Sequence, residues 1–224
     1  MKKLFWLSMM LCISVSAVYA QNERPFRFGL IASPSLSWFN PETRDYISEG
    51  NTIGFSYGLV GDFYLGDNYA VSTGINISHF GGKLSFRDNH PDHGTLDFER
   101  KYIHQYLELP VTLKMQTPEF GYLTYFGRFG FAPGFNLKAK GEDQYVAGNR
   151  FTEEVDLKSR TPLLRAALII GIGVEYSLGG RTTLLGGVTY NNGFTNNLKG
   201  RNTHMNVNPS ASASYLQLNM GVMF

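Results

Sequence analysis

Cysteine, charge and long apolar runs are all scarce in this sequence. Its 224 residues include a single cysteine, Cys12, and only 17% of them are charged. One cysteine cannot form an intrachain disulfide or a zinc site built from several thiolates. The 43% hydrophobic and 14% aromatic content also excludes a disordered chain, since disorder goes with high charge and few aromatic residues. The length suits one folded domain.

The first twenty residues have the pattern of a secretory signal peptide. Lys2 and Lys3 precede an apolar run that ends in the cleavage-site sequence Val18-Tyr19-Ala20. We expect cleavage after Ala20, so that residues 1–20 form the signal peptide and residues 21–224 form the exported domain. The exported domain then has no cysteine.

Loss of this leader would also remove the small excess of positive charge. The whole chain has 20 basic and 18 acidic residues, and Lys2 and Lys3 are the only charged residues of the leader. The exported domain is therefore neutral. Nucleic-acid binding is not expected, because it requires a basic surface that displaces counterions from phosphates.

No segment after the leader is apolar for long enough to form a transmembrane helix. The longest apolar or glycine stretch is Ala166–Val174, with nine residues, whereas a spanning helix needs about 20. Apolar residues instead recur at every second position, which is typical of strands. Eight strands are predicted, at about residues 26–39, 52–65, 69–86, 101–116, 122–139, 162–178, 182–194 and 212–224, and short and long connections alternate between them.

This pattern predicts an all-β fold, an eight-stranded antiparallel up-and-down transmembrane β-barrel with both termini periplasmic. A soluble up-and-down barrel would show the same alternation with its apolar face inward. Small residues decide between the two, because they crowd the polar face and suit the narrow interior of an eight-stranded barrel. They include Gly29, Ser33, Ser35, Gly54, Gly58, Gly74, Gly130, Gly134, Gly171, Gly173 and Gly187.

Three stretches carry a resemblance to a known family. They are Phe28–Ser37 in the first strand, Tyr106–Lys114 in the fourth and Phe129–Gly134 in the fifth. Together they resemble the PorT-like family of small outer-membrane barrels of Bacteroidota. The resemblance implies an outer-membrane location and, for the founding member, a part in the type IX secretion apparatus.

The charged residues at membrane depth all fall on the polar face and are predicted to line the lumen. Five of them lie near the periplasmic strand ends and predict an ion-pair cluster that plugs the lumen, while Lys138 and Arg165 lie near the outer ends and Glu108 lies between. Five basic and three acidic groups leave two positive charges inside. The full set is Arg27, Asp62, Glu108, Lys114, Arg128, Lys138, Arg165 and Glu175.

Two other groups of residues raise chemical alternatives. His90, Asp92 and His93 in one predicted loop could ligate a divalent metal, although such residues in a loop are more often simply solvated. Ser78 and His79 suggest a serine nucleophile of a lipid-modifying enzyme. Neighbours on a strand point to opposite faces, so these two cannot pair with each other. We expect no catalytic, cofactor or metal site.

The predicted function is that of a non-enzymatic outer-membrane barrel, a structural or accessory component of an envelope assembly, linked through the family resemblance to type IX secretion. The alternatives are a small anion-tolerant channel and a lipid-modifying outer-membrane enzyme. The expected partners are outer-membrane lipid, the barrel-assembly machinery during biogenesis, and envelope or secretion-complex proteins.

Overall fold

The structure is a computed structural model that describes residues 26–90, 93–147 and 149–224. The predicted signal peptide and its cleavage site lie outside these residues. Within them, every strand ladder is antiparallel, and a short 3₁₀ turn forms at Lys158–Arg160. The eleven strands are β1 (Phe26–Pro41), β2 (Ile47–Gly50), β3 (Thr52–Gly66), β4 (Tyr69–His90), β5 (Gly94–Glu108), β6 (Val111–Gln116), β7 (Leu123–Ala147), β8 (Asn149–Asp156), β9 (Leu164–Ser177), β10 (Thr183–Gly193) and β11 (Ala211–Met223).

Eight of these strands close into a ring. β1 pairs with both β3 and β11, and the order continues through β4, β5, β7, β9 and β10. Strand β6 continues the position of β5, because it pairs with the same two neighbours, β4 and β7. The fourth predicted strand, 101–116, is thus divided at Leu109-Pro110, where proline has no N–H to donate to a ladder.

The ring has two unlike ends. At the terminal end, β1 begins, β11 ends and the turns are short. The turn between β9 and β10 contains Gly179 (φ +96°) and Gly180 (φ +64°), a backbone conformation that glycine adopts without strain. At the extended end, β4 and β5 continue as a paired hairpin to His90 and Gly94, and β7 with β8 forms a second hairpin. The sequence predicted loops at 87–100 and 140–161, where these hairpins lie.

Large apolar side chains face outward at every position around the ring. Every strand position of the ring contributes to this outward apolar band, with Leu30, Leu59, Ile75, Leu113, Phe129, Ile170, Val188 and Leu218 all exposed. A soluble barrel would bury such residues. The outward band is the arrangement expected where lipid surrounds the ring.

The band ends where charge begins on the outer wall of β4 and β5. Lys83 pairs with Glu99, and Lys101 pairs with Glu142, each at 3.1 Å. Further out, Arg87 pairs with Asp97 across the hairpin at 2.8 Å. Charged residues on an outer wall require water, so the last eight residues of β4, from Lys83 to His90 and about 26 Å along the strand, lie beyond the apolar band.

Candidate functional site

Five charged side chains meet inside the ring near its terminal end. We call Arg27, Asp62, Lys114, Arg128 and Glu175 the terminal cluster. They lie on β1, β3, β6, β7 and β9 and share the inward phase of each strand. The strand alternation therefore brings together five residues that are up to 148 positions apart in the chain.

Glu175 holds two cations of this cluster. Its Oε2 accepts a hydrogen bond from Arg27 at 2.8 Å, and its Oε1 accepts one from Lys114. Lys114 also donates to Asp62 Oδ2 at 2.6 Å. Arg27 is further held by the hydroxyls of Tyr64 and Thr183. The result is a chain of alternating charges across the lumen. A cavity of about 400 Å³ lies next to it at the terminal end of the ring and is lined in part by Arg27 and Glu175.

Arg128 lies beside this chain of charges and is not part of it. Its guanidinium carbon lies 4.9 Å from the centre of the Phe126 ring, and Lys114 Nζ lies 4.9 Å from the same centre. Glycine makes room for it, since a Cβ on Gly171 would come within 3.1 Å of Arg128 Cγ and 2.6 Å of Thr189 Oγ1. The side chain is thus packed against an aromatic face.

A second buried ion pair crosses the lumen at mid-height. Arg165 donates to Glu108 Oε1 at 2.8 Å, and it also donates to Asn191 Oδ1 and to the carbonyl of Ala213. The other oxygen of Glu108 accepts hydrogen bonds from Ser78 at 2.6 Å and Tyr215 at 2.7 Å. We call Glu108, Arg165, Ser78, Tyr215 and Asn191 the middle cluster. The sequence pattern predicted inward positions for its charges but not this pairing.

Lys138 differs from its predicted position in the lumen. Gln105 pairs with Lys138 and Tyr106 pairs with Asn136, so Leu137 is an extra residue on β7. This bulge shifts the alternation by one residue, and both Leu137 and Lys138 are exposed. The described lumen charges are then four cations and three carboxylates, with one net positive charge in place of the predicted two.

Aromatic side chains fill the lumen between the middle cluster and the extended end. We call Phe39, Phe80, Tyr102, Tyr106 and Tyr215, all 5% exposed or less, the aromatic plug. Phe80 stacks on Tyr106 at 5.3 Å, and the Arg165 guanidinium lies 4.7 Å from the Phe80 ring centre. Sequence reasoning missed the plug. The alternation along β4 could have indicated it, because Phe80 lies two residues after the inward-facing Ser78 and therefore also points into the lumen.

His104 lies within this plug and is completely buried. Its ring is within 5.7–6.1 Å of the Phe39, Phe80, Tyr102 and Tyr106 rings. Neither ring nitrogen has a hydrogen-bond partner among the described residues. The histidine is held by ring packing alone.

The charged loop predicted at 140–161 is mostly paired. Arg100 donates two hydrogen bonds to the Asp143 carboxylate. Burial disfavours the charge of Arg100, yet these hydrogen bonds outweigh it, and the pKa of Arg100 is raised. On the exposed hairpin, hydrogen bonds from Arg87 lower the pKa of Asp97. The extended end is a folded structure with defined charge pairs.

The proposed metal and nucleophile groups do not assemble in the described residues. The rings of His90 and His93 stack at 4.8 Å, while Asp92 lies outside those residues, and none of the described residues form a cluster of three or more metal-ligating side chains. Ser78 faces the lumen and bonds Glu108. His79 is on the outer wall, where its ring lies 6.3 Å from that of Tyr57.

No helix in the described part of the chain is both long and apolar enough to span a membrane. The arrangement inside the ring can hold charge and exclude water at several heights. Three inward carboxylates, Asp62, Glu108 and Glu175, are also present, but each is bound to a cation, so none is placed as a free acid or base.

Several solved structures of outer-membrane proteins are similar to this chain at low identity. Neisserial surface protein A is 12% identical with a TM-score of 0.42, covering 88% of this chain and 95% of its own. OprG of Pseudomonas aeruginosa is 11% identical with a TM-score of 0.47, covering 91% and 98%. No curated protein matches the sequence.

The expectation that the chain is not an enzyme needs correction. The similar structures include the outer membrane protease OmpT of Escherichia coli, which is 10% identical with a TM-score of 0.43 and covers 92% of this chain and 99% of its own. The comparisons do not establish whether this chain is an enzyme.

A match to a family model identifies the family of this chain. A family model described as "Outer membrane protein beta-barrel domain" matches residues 19–199, which is most of the chain. Neither this match nor the structural neighbours single out a PorT-like protein or Bacteroidota. The match agrees with the antiparallel ring and with its outward apolar band. The chain belongs to the outer membrane protein β-barrel domain family.

Proposed function

We propose that this protein is an eight-stranded barrel with both termini in the periplasm, whose plugged body supports a folded platform at the cell surface. In this proposal the barrel is a structural or accessory component of an envelope assembly. The outward apolar band holds the barrel in the outer membrane, and the hairpins of the extended end contact the partner.

The observation that carries this proposal is the filled lumen. The terminal cluster, the middle cluster and the aromatic plug lie one above another inside the ring, and Tyr106, Lys114 and Arg165 are nearly or completely buried. Small barrels are commonly filled in this way. A body without a continuous water path is suited to support and display.

The form of the extended end supports the same proposal. Both hairpins are paired over most of their length. Asn202 ties the region 195–210 to the β4–β5 hairpin by donating to the carbonyl of Arg87, and to the β1–β2 connection by donating to Tyr46. Asp88 also accepts hydrogen bonds from Thr203. A surface whose shape is set before binding loses less entropy when a partner docks.

A narrower assignment, to a type IX secretion apparatus and a PorT-like role, rests on the sequence resemblance described above. A second candidate is an anion-tolerant channel, which is favoured by one observation, the net positive charge of the described lumen residues.

Isolation from native membranes tests the proposed role. The tagged full-length protein is extracted in mild detergent, and the proteins that co-purify are identified. The comparison variant replaces residues 85–98, the outer part of the β4–β5 hairpin, with a tight turn, and Asp97→Asn is the control that keeps the hairpin. A stoichiometric partner with wild type and the control, absent with the shortened hairpin, supports the proposal. Recovery of the wild-type barrel alone contradicts it.

A further inference from the structure

Arg128 is the lumen charge whose contacts do not explain its position. Among the lumen charges that the structure describes, it alone has neither an ion pair nor a hydrogen bond. Its Nε is buried without an acceptor. The Phe126 ring beneath it attracts the positive charge, but it offers no oxygen to the guanidinium N–H groups.

Rearranging the terminal cluster cannot neutralise this charge. The cluster holds three cations and two carboxylates, and Asp62 Oδ1 is the only one of the four carboxylate oxygens without a partner. If Arg128 turned toward Asp62, one positive charge would still be in excess. Arg128 is half-buried in the narrow lumen, where an uncompensated charge is unfavourable, so one more negative charge would stabilise the cluster.

Arg128 lines a cavity that could hold such a charge. The cavity has a volume of about 40 Å³ and is also lined by Ser56, Ser72, Thr112, Thr189, Gln217 and Asn219. This volume exceeds the roughly 10–15 Å³ that one water molecule needs. The site is therefore large enough for one or a few small species and too small for a phosphate or a sugar.

The hydroxyls of this cavity are set to donate hydrogen bonds. Ser56 Oγ accepts from Gln217 at 2.9 Å, and Thr189 Oγ1 accepts from Asn219 at 2.6 Å. Each hydroxyl keeps its own proton for another acceptor. Asn76 Oδ1, also on the cavity wall, has no donor, so a water molecule is the competing occupant.

We propose that the Arg128 cavity binds one small monovalent anion of the halide class, with chloride as the physiological form. The anion supplies the missing negative charge, accepts from the Arg128 guanidinium and from the wall hydroxyls, and is enclosed by the barrel at membrane depth. This inference concerns the interior of the barrel and does not depend on the proposed partner.

Thermal unfolding of the refolded protein in detergent tests the anion site. Transitions are compared in sodium chloride and in sodium gluconate at equal ionic strength, because gluconate is too large for the cavity. Chloride at ten times its dissociation constant should raise the transition by about 4 °C. Arg128→Gln should abolish the difference, while Lys138→Gln, which removes one exposed positive charge, should keep it.

Two outcomes would overturn the proposal. One is a wild-type transition that is the same in chloride and gluconate, and the other is a chloride effect that persists in Arg128→Gln. Should that variant fail to fold, wild-type crystals grown in sodium bromide replace it. Anomalous density for bromide beside Arg128 supports the site, and an ordered lumen without it contradicts the site.

Discussion

Glu175→Gln should destabilise the barrel more than removal of any exposed carboxylate. Glu175 is 3% exposed and neutralises both Arg27 and Lys114. The change keeps the shape of the side chain but leaves Arg27 and Lys114, both buried, without the carboxylate that joins them. Breaking a buried pair by removing one partner costs about 3–5 kcal/mol, and we expect a loss of this size in the free energy of unfolding.

The matched control is Glu154→Gln. Glu154 is 74% exposed and meets Lys140 at 3.4 Å on the outer hairpin, so its loss should cost about 0–1 kcal/mol. Unfolding in urea from lipid vesicles can be followed by the fluorescence of Trp38, whose ring lies 6.2 Å from that of Tyr190 on the outer wall. The slope of the transition should not change between variants.

A double variant separates charge imbalance from lost packing. Glu175→Gln with Arg27→Gln restores the wild-type net charge of the terminal cluster, so it should be less destabilised than the sum of the two single variants. Equal costs for Glu175→Gln and Glu154→Gln, or strict additivity in the double variant, would refute the reasoning.

Two further predictions concern the extended end. Asp143→Asn should leave Arg100 buried without its carboxylate and increase the rate of proteolysis in the β7–β8 hairpin severalfold, with the barrel itself protected; an unchanged rate would contradict this pairing. Burial raises the pKa of Tyr46 above 10.0, so the folded state retains this proton more tightly than the unfolded state. Stability should therefore fall as the pH rises above about 10, and Tyr46→Phe should reduce that fall in urea titrations; an identical fall in the variant would exclude Tyr46 as a cause.

Strand phase made most of the ring and its charged interior predictable. Alternation alone placed Arg27, Asp62, Lys114 and Glu175 on inward positions of four different strands, and the predicted strand ranges match the ring positions closely. Alternation predicts the orientation of side chains because the pleat fixes a period of two residues. Each strand of the ring has one face toward the filled lumen and one apolar face toward the outside.

Features that depend on pairing between strands could not be predicted. The bulge that turns Lys138 outward exists because β7 has one more residue than β5 over the paired stretch. The Glu108–Arg165 pair depends on register across strands that are 57 residues apart in the chain. The hairpins of the extended end were predicted as loops because charged and polar residues dominate their sequence. In the structure Phe86, Phe98 and Tyr145 are buried on their inward face, and cross-strand pairs such as Arg87–Asp97 stabilise their outer face.

Conductance across planar lipid bilayers tests the central claim, that the lumen is closed at membrane depth. The wild-type protein should insert without steady openings, whereas Phe80→Ala combined with Tyr215→Ala should conduct, since both rings belong to the aromatic plug. Tyr57→Ala, which removes an aromatic ring from the outer wall, should remain silent. Steady wild-type openings that the two plug substitutions alter and Tyr57→Ala does not would contradict a closed lumen.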